Sequence, residues 1–522
     1  MLVACAGLTL GILPAAAQTE YEYTIETSLG DTETFWLQIP AGYSPSEPCP
    51  LLVGWHQLGG DHWEMKNATE FDEIANTRGW IVMSHQGVTA THWNNPPTQA
   101  HVVDVIHWIQ ERYAIDPLRI YMVGASMGGA AGMVFANNHL DPAGPMVAAA
   151  ASMSGIQDCE RRFYEQGTNS SMIGAFGGTP DEVPYEYHRN SAIYFADSTA
   201  SMHVNARHLP LWLTFGHGDS DQIWREHAED LYAAMAPFAD TVVLRESAYA
   251  GHGWGCAEER LICDFLETFA LDPLPAELSI NADEEGWWHW TWLQMRQSGE
   301  QFARFEARAD TAAAHVDVCM IRNVARLDLD LPALGFPCGD VFSCRWDAGE
   351  GGEAQLGFRG LSGEPGLVLR DGQPFAQWSF DPGTGLLLMT AAGEASYQVF
   401  LDPAAIAESG LAGVAAATAG PVSGGLRVPS IVCLHDGVPC FWAADTRADA
   451  SAGVRIQARD ASWALFDPAG RDVAHGTRAV SGADERFTLR LPERLATGTY
   501  LLRWQSSGGR AGPVVRRLTV LR

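Results

Sequence analysis

The stretch Gly124-Ala125-Ser126-Met127-Gly128 lies between an apolar run, Ile120-Tyr121-Met122-Val123, and the small residues Gly129-Ala130-Ala131. The apolar run predicts a buried strand and the small residues favour a helix, so the serine stands at a sharp strand-to-helix turn. Such a turn is strained and leaves almost no room for side chains beside the serine. The pattern therefore predicts an exposed nucleophilic hydroxyl at Ser126. A solvated serine in a small-residue turn is the structural alternative.

Apolar strands alternate with helical stretches from about residue 20 to residue 273. The predicted strands are 34–40, 51–56, 80–84, 120–125, 146–153, 211–215 and 241–246, and the predicted helices are 64–77, 99–113, 223–234 and 257–269. Such alternation specifies a mostly parallel sheet with helices on both faces. The aromatic-rich and glycine-rich segment 154–209 interrupts the pattern, and both a lid and a simple insertion fit it.

Helices almost vanish after Asp272-Pro273, where strand-like runs separated by turns continue to the end of the chain. The predicted strands are 286–295, 302–309, 315–322, 325–329, 386–389, 397–401, 463–466, 487–491, 499–504 and 516–521, with a linker at 410–425. We predict an α/β domain over 18–273, a β-rich accessory region over 274–445 and a small β-sandwich with a sorting or binding role over 446–522.

Three tryptophans alternate along one predicted strand. Trp288, Trp290 and Trp292 are separated by His289 and Thr291, so they would share one face of the strand. Either an aromatic platform for sugars or a β-core would have this pattern, and we favour the core.

A serine hydroxyl needs a neighbouring base and an orienting acid before it can attack a carbonyl carbon. The acid and the base are expected on loops after later strands, in the order Ser, Asp, His. Asp219 and Asp221 follow the strand 211–215, and His252 follows the strand 241–246. The H-G-x-x-D spacing from His217 favours Asp221 over Asp219. We predict the triad Ser126, Asp221 and His252, with a structural role for His217.

A tetrahedral intermediate needs two fixed N–H donors. Met127, directly after the nucleophile, should supply one, and the loop His56-Gln57-Leu58-Gly59-Gly60 should supply the other. Gln57 is the first choice for this second donor and Leu58 is the alternative. We also predict that the side chains of Leu58, Trp224 and Trp254 bind substrate, and that the reaction needs no metal or organic cofactor.

These motifs resemble the esterase family that includes polyhydroxybutyrate depolymerases and feruloyl or acetylxylan esterases, within the α/β-hydrolase superfamily. The resemblance covers roughly residues 30–270. Its motifs are His56-x-x-Gly59-Gly60, Ile115-Asp116-Pro117-Leu118-Arg119-Ile120-Tyr121, His217-Gly218-x-x-Asp221 and Gly251-His252-Gly253-Trp254. The chain departs from the family at Gln57, where a glycine is usual.

The resemblance implies a doubly wound α/β-hydrolase fold and a secreted serine carboxylester hydrolase. The implied substrates are feruloyl or acetyl esters of carbohydrates, or polyesters such as polyhydroxyalkanoate. The segment Asn205-Ala206-Arg207-His208-Leu209-Pro210 is also similar to prolyl-oligopeptidase-type hydrolases. A serine peptidase is therefore one alternative, and a catalytically silent binding module is another.

The composition restricts the partners of the chain. A net charge of −30 over 522 residues argues against nucleic acid and anionic membrane surfaces as partners. The expected partner is an ester substrate, with polymeric substrates included. The tail segment 495–500 resembles C-terminal sorting domains of type IX secretion, which implies contact with export machinery.

The N-terminus is predicted to be an export signal over 1–17. An apolar run ends at Pro14, and Ala15-Ala16-Ala17 provides a cleavage site before Gln18. Cys5 stands in a lipobox-like context, but the apolar run follows it, so lipidation is the less favoured interpretation. We predict a secreted or cell-surface protein, with the periplasm as an alternative and no membrane span.

The ten cysteines suggest disulfides, which export would permit. Cys338 with Cys344 and Cys433 with Cys440 bracket turn-rich segments and are the predicted pairs. Metal binding is the rival interpretation, but neither pair has the C-x-x-C spacing of a zinc site.

Overall fold

The computed structural model describes residues 18–166, 170–217, 222–336, 341–349 and 352–401, together with the backbone of seven strands between 433 and 520. The chain divides into two compact units, residues 1–412 and 413–522. The predicted signal over 1–17, the predicted linker over 410–425 and the two candidate acids Asp219 and Asp221 lie outside the described residues.

An eight-stranded sheet forms the centre of the N-terminal half of the first unit. Its strands are β1 (Thr19–Glu26), β2 (Thr32–Ile39), β3 (Cys49–Trp55), β4 (Ile81–His85), β5 (Ile115–Ala125), β6 (Ala149–Met153), β7 (Leu211–Phe215) and β8 (Val242–Glu246). They lie in the order β1-β2-β4-β3-β5-β6-β7-β8. The pairs β1–β2 and β2–β4 are antiparallel, and every other neighbouring pair is parallel. This topology is the α/β-hydrolase fold, as predicted.

Helices cover both faces of this sheet. They are α1 (Glu64–Ala68), α2 (Phe71–Arg78), α3 (Pro96–Gln110), α4 (Ala131–Asn138), α5 (Cys159–Glu165), α6 (Ser170–Phe176), α7 (Pro184–Arg189), α8 (Gln222–Met235) and α9 (Glu259–Glu267), with 3₁₀ turns at Ser126–Ala130, Ser198–Ala200, His203–His208 and Gly253–Cys256. The single helix predicted over 64–77 is wrong, because the extended backbone of Thr69 separates α1 from α2. The interrupting segment 154–209 contains the short helices α5, α6 and α7.

The central strand β5 shows why the sheet needs two helical layers. Ile120 and Met122 are buried in the apolar cluster on one face, whereas Tyr121 and Val123 are buried in the cluster on the other. Successive side chains of a strand point to opposite faces, so a continuous apolar run requires cover on both sides.

Two packed sheets follow in the same unit. Their strands are β9 (Glu277–Ala282), β10 (Gly286–Trp288), β11 (Thr291–Met295), β12 (Ala303–Asp310), β13 (His315–Arg322), β14 (Val324–Asp330), β15 (Val341–Asp347), β16 (Ala354–Arg359), β17 (Leu367–Arg370), β18 (Gln373–Pro374), β19 (Trp378–Asp381), β20 (Leu386–Ala391) and β21 (Glu394–Phe400). One sheet has the order β10-β11-β14-β16-β20-β19 and the other has the order β18-β17-β21-β15-β13-β12-β9. Their inner faces share one apolar cluster, so this part is a β-sandwich. The prediction of β-structure after residue 273 is confirmed.

The strand predicted over 286–295 is a β-hairpin instead. Trp287 pairs with Trp292 and Trp288 pairs with Thr291, so His289 and Trp290 form a two-residue turn. His289 has a positive φ of 53°, which such tight hairpin turns require. Trp288 and Trp290 are buried in the sandwich core, whereas Trp292 is half-buried on the outer face. The prediction that these tryptophans share one face is therefore wrong.

The second unit is also built of strands. Its described strands are β22 (Cys433–Leu434), β23 (Gly453–Gln457), β24 (Ala461–Phe466), β25 (Asp472–Arg478), β26 (Arg486–Arg490), β27 (Gly498–Ser506) and β28 (Val514–Val520). Five of them form a sheet in the order β22-β28-β27-β24-β25, and β23 pairs with β26. The domain boundaries proposed from the sequence stay predictions.

The cysteines of the described region are reduced. Cys49, Cys159, Cys256, Cys263, Cys319 and Cys344 carry thiols that form no disulfide. Cys344, one member of the predicted Cys338–Cys344 pair, is a thiol whose pKa is raised by burial, and Cys338 lies outside the described residues. The side chains of Cys433 and Cys440 lie outside the described residues. Across the described ranges, no helix combines the length and the apolar character that a membrane crossing requires.

Candidate active site

Ser126 occupies a strained turn between β5 and α4. It has a positive φ of 53° and opens the 3₁₀ turn Ser126–Ala130. Few residues other than glycine adopt this left-handed backbone conformation, and it costs energy that the surrounding packing must offset. A side chain at Gly124 would overlap the carbonyl oxygen of Gly128, and one at Gly128 would overlap the carbonyl oxygen of Trp55. The two glycines therefore let the turn close against the end of β3.

The imidazole of His252 meets the Ser126 hydroxyl. His252 Nε2 lies 2.8 Å from Ser126 Oγ, although 126 residues separate them in the sequence. His252 follows β8 between Gly251 and Gly253, whose φ values are 136° and 60°. In the tautomer with Nε2 unprotonated, the hydroxyl donates a hydrogen bond to Nε2, so the ring can accept the hydroxyl proton as an attack begins.

Trp224 packs against the imidazole. Its ring centroid lies 4.0 Å from that of His252, with an angle of 35° between the ring planes. The guanidinium of Arg162 lies over the Trp224 ring, 4.4 Å from the ring centroid. Trp224 was predicted to bind substrate, and its contacts restrict the orientation of the His252 ring.

The candidate acids Asp219 and Asp221 lie outside the described residues, but the elements around them are described. A side chain at Gly216 would overlap the carbonyl oxygen of Gly251, so the loop after β7 packs directly on the His252 loop. His217 lies on the surface, where its side chain is 70% exposed and its Nδ1 is 2.9 Å from Glu246 Oε1. This surface contact agrees with a structural role for His217.

The Gln57 amide is paired with Glu64. Gln57 N–H donates to Glu64 Oε2 at 2.7 Å, and the side-chain Nε2 donates to Glu64 Oε1 at 3.0 Å. An N–H that is bound to a carboxylate must release it before it can bind an oxyanion. No hydrogen bond from Leu58 N–H is found among the described residues, and Leu58 is 45% exposed. This arrangement favours Leu58 over Gln57 as the second oxyanion donor.

Buried histidines support the loop that carries Gln57. The ring nitrogens of His56 lie 2.7 Å from the carbonyl oxygen of Gln57 and 2.9 Å from that of Gln86, so the imidazole links two loops. Burial, with a contribution from His56, holds the pKa values of His85 and His92 well below their usual range. His56 is therefore placed as a structural residue behind the candidate oxyanion site.

A second supporting segment was missed in the sequence. Trp93 and Asn94 both have positive φ values, 49° and 55°. Asn94 Nδ2 donates to the carbonyl oxygen of Met127 at 3.0 Å, and Trp93 N–H points to the Met127 sulfur at 3.4 Å. The only available signal was Asn94-Asn95 before Pro96-Pro97, a composition typical of a turn. That signal predicts a turn but not its contact with Met127.

A buried apolar cluster includes Met127, which follows Ser126, and Trp224, which packs on His252. It is formed by Trp93, Met127, Ile156, Cys159, Phe163, Met172, Phe176, Tyr187 and Trp224. Most of these residues come from the segment 154–209, so that segment packs against residues that neighbour Ser126 and His252. Trp254, which was predicted to bind substrate, is 3% exposed and packs on Phe71 in the core. Its burial favours a packing role.

In the ranges that the structure describes, no group of three or more histidine, cysteine or acidic side chains is arranged to hold a metal ion.

Short parts of the chain are similar in sequence to known esterases. No protein-family model matches the chain. Feruloyl esterase B of Piromyces equi is 29% identical over 102 residues, which are 18% of this chain and 19% of that protein. The bifunctional acetylxylan esterase/xylanase XynS20E of Neocallimastix patriciarum is 26% identical over 145 residues, which are 26% of this chain and 21% of that protein. The chain thus spans about a fifth of the length of the curated relatives it matches.

Among solved structures, the substrate-bound fluorophosphonate-binding serine hydrolase F of Staphylococcus aureus is similar with a TM-score of 0.38 and 14% identity. The match covers 48% of this chain and 98% of that chain.

Proposed function

We propose that this chain is a serine carboxylester hydrolase. The observation that carries the proposal is the 2.8 Å contact between Ser126 Oγ and His252 Nε2 at a strained strand-to-helix turn. A hydroxyl paired with an imidazole at such a turn is the arrangement that activates serine for attack on an acyl group. The short similarities to feruloyl and acetylxylan esterases support the same class.

In the proposed reaction, Ser126 Oγ attacks the ester carbonyl carbon while His252 Nε2 accepts the hydroxyl proton. The tetrahedral intermediate then collapses, its bond to the alcohol oxygen breaks, and His252 returns the proton to the leaving alcohol. A water molecule attacks the acyl-enzyme in the same way and releases the acid. Asp221 is the proposed partner that orients the imidazole.

The oxyanion is proposed to bind the backbone N–H of Met127 and a second donor in the loop after β3. Met127 is the second residue of its 3₁₀ turn, where the first N–H groups have no acceptor within the turn. Because Glu64 already binds Gln57 N–H, we propose Leu58 as the second donor. Glu64 would then act as a positioning residue that fixes the loop.

Feruloyl or acetyl esters of carbohydrates are the proposed substrates. The curated relatives are named for feruloyl and acetylxylan ester hydrolysis. A polyester is the second proposed substrate class, which the sequence resemblance implies.

We also propose that this protein is exported from the cell. The apolar N-terminus predicts removal of residues 1–17 and a secreted or cell-surface enzyme. N-terminal sequencing of protein recovered from the culture medium should give Gln18 as the first residue. Retention of the uncleaved chain inside the cell would contradict this proposal.

The central test compares wild type and Ser126→Ala in hydrolysis of p-nitrophenyl acetate. We expect kcat to fall roughly 10⁴- to 10⁶-fold, because the nucleophile is lost. Ser154→Ala is the matched control, since Ser154 is also buried, has a φ of 48° and contacts Cys256 rather than His252. That variant should keep its activity. A folded wild type without any hydrolysis would favour the binding module.

A substrate panel separates the hydrolase classes. Methyl ferulate and acetylated xylan should be hydrolysed by wild type and not by Ser126→Ala. Equal or faster turnover of a peptidyl p-nitroanilide would favour the peptidase. Turnover of polyhydroxybutyrate alone would shift the assignment to a polyester depolymerase.

A further inference from the structure

The outer face of the six-stranded sheet in the sandwich carries two tryptophans, an aspartate and a glycine at paired positions of four strands. Trp287 of β10 pairs with Trp292 of β11, Trp292 pairs with Asp328 of β14, and Asp328 pairs with Gly357 of β16. The row therefore runs straight across four strands. Arg326 and Arg359 lie two residues from this row on β14 and β16, so they share its face.

The two indoles are not needed by the sandwich core. Leu293, Leu327 and Phe358, which neighbour the row along the strands, point inward and are fully buried. Trp287 and Trp292 instead lie half-buried on the outer face. Large apolar rings kept at a surface point to a binding role, because they gain little by packing there.

Asp328 organises the charged part of this face. Its side chain is fully buried and accepts hydrogen bonds from Arg326 at 2.7 and 2.8 Å and from Arg359 Nε at 2.7 Å. A side chain at Gly357 would overlap the Asp328 carboxylate, so the glycine lets that carboxylate lie across the sheet. One buried carboxylate thus fixes two guanidinium groups beside the indoles.

The guanidinium groups of Arg326 and Arg359 lie over the indole rings, but farther from the ring centres than in a close stack. They lie 5.3 Å from the Trp292 ring centroid and, for Arg359, 5.5 Å from the Trp287 centroid. In contrast, the guanidinium of Arg112 lies 4.0 Å above Trp108 on α3. At these longer distances both guanidinium groups are held by hydrogen bonds to Asp328.

A second row of hydrogen-bonding side chains runs beside the indoles. Gln294 of β11 pairs with Arg326, and Arg326 pairs with Gln355 of β16. Both glutamines are exposed. The face therefore combines flat apolar rings with amide and guanidinium groups that donate and accept hydrogen bonds.

We propose that this surface, formed by Trp287, Trp292, Gln294, Arg326, Gln355 and Arg359, binds a neutral pyranose polysaccharide. The apolar C–H face of a sugar ring stacks on an indole, and its hydroxyls hydrogen-bond to the adjacent row. The net charge of −30 and the pairing of both arginines with Asp328 argue against an acidic polymer. None of these residues belongs to the candidate active site, and the proposal does not depend on the proposed esterase activity.

The test is co-sedimentation of the full chain with insoluble xylan and with cellulose, two sources of the same ring chemistry. Wild type should be retained on at least one of them. Trp287→Ala/Trp292→Ala should weaken retention at least about tenfold, because both stacking rings are lost. Gln294→Ala/Gln355→Ala, which alters only exposed side chains, should weaken it several-fold without affecting folding.

Trp108→Ala is the matched control, because it removes a tryptophan with a stacked arginine from another surface. It should leave retention unchanged. Hydrolysis of p-nitrophenyl acetate by each variant serves as a separate readout of the Ser126 site, and it should stay constant in the Trp287/Trp292 and Gln294/Gln355 variants. Failure of wild type to bind either neutral polymer, unchanged retention of both double variants, or retention on polygalacturonate alone would overturn the proposal.

Discussion

At the scale of single residues, the contact between Gln57 and Glu64 determines whether the backbone N–H of Gln57 is available to an oxyanion. Glu64 binds both the backbone and the side-chain amide of Gln57. A side chain at Gly253, next to His252, would overlap Gln57 Oε1. Gln57 therefore connects the oxyanion loop to the His252 loop. Its position favours a positioning role over direct contact with the oxyanion.

Removing the Glu64 carboxylate should separate the two oxyanion assignments. If Leu58 is the donor, Glu64→Ala loosens the loop, and kcat for p-nitrophenyl acetate should fall roughly 10- to 100-fold with little change in KM. Glu64→Gln keeps an acceptor oxygen for Gln57 N–H and should retain most of the activity. Steady-state kinetics of both variants checks this.

The control for that experiment is Glu73→Ala, which removes an exposed acid on α2 and should have no effect. An unchanged or higher kcat in Glu64→Ala would instead assign the donor to Gln57, since its N–H would be released.

The site residues that the sequence singles out at this scale are those with a local pattern. Ser126 stands in a five-residue motif, and His252 lies between glycines after a strand, so both could be placed before their contact was known. Glu64 and Asn94 have no such pattern. Their roles arise from contacts with Gln57 and Met127 that depend on loop conformation, which neither periodicity nor spacing encodes.

At the scale of secondary-structure elements, close packing between β3, β5 and the following turn maintains the strained conformation of Ser126. The end of β3 touches the turn at Gly128, and α4 packs on β6 where Gly132 meets Ala150. Strain at a functional residue persists only when its neighbours restrict the alternatives. Only small residues let the backbones of β3, β5 and the turn approach this closely. The run of small residues in the sequence therefore predicted a tight turn here.

Adding a methyl group to this contact should destabilise the protein. Gly124→Ala places Cβ against the carbonyl oxygen of Gly128, and the free energy of unfolding should fall by about 3 kcal/mol. Urea unfolding followed by tryptophan fluorescence measures the change.

The matched control is Gly42→Ala, where a Cβ meets nothing within 4 Å. Its free energy of unfolding should stay within about 0.5 kcal/mol of wild type. Equal stability of Gly124→Ala and Gly42→Ala would show that the turn relaxes without cost.

At the scale of the whole molecule, the α/β half and the sandwich of the first unit share buried residues. Leu140, Met146, Tyr185 and Met202 belong to the same apolar cluster as the sandwich core. Asn281 of β9 also donates from its backbone N–H to Asn205 Oδ1 at 2.7 Å. The sequence could show where helices give way to strands, near residue 273. It could not show this shared core, because the contacting residues are far apart in the chain and carry no common pattern.

Truncation should reveal whether residue 273 separates two independent domains. A chain of residues 18–273 would expose the four apolar side chains that the sandwich covers, and burial of each is worth roughly 1.5–3 kcal/mol. We expect its midpoint of thermal unfolding to lie at least about 10 °C below that of residues 18–412, which keep the cover. Calorimetry of both chains measures the difference, and 18–412 should unfold in a single transition because its halves share one core. Equal midpoints, or two separate transitions in 18–412, would instead support the boundary that the sequence predicted.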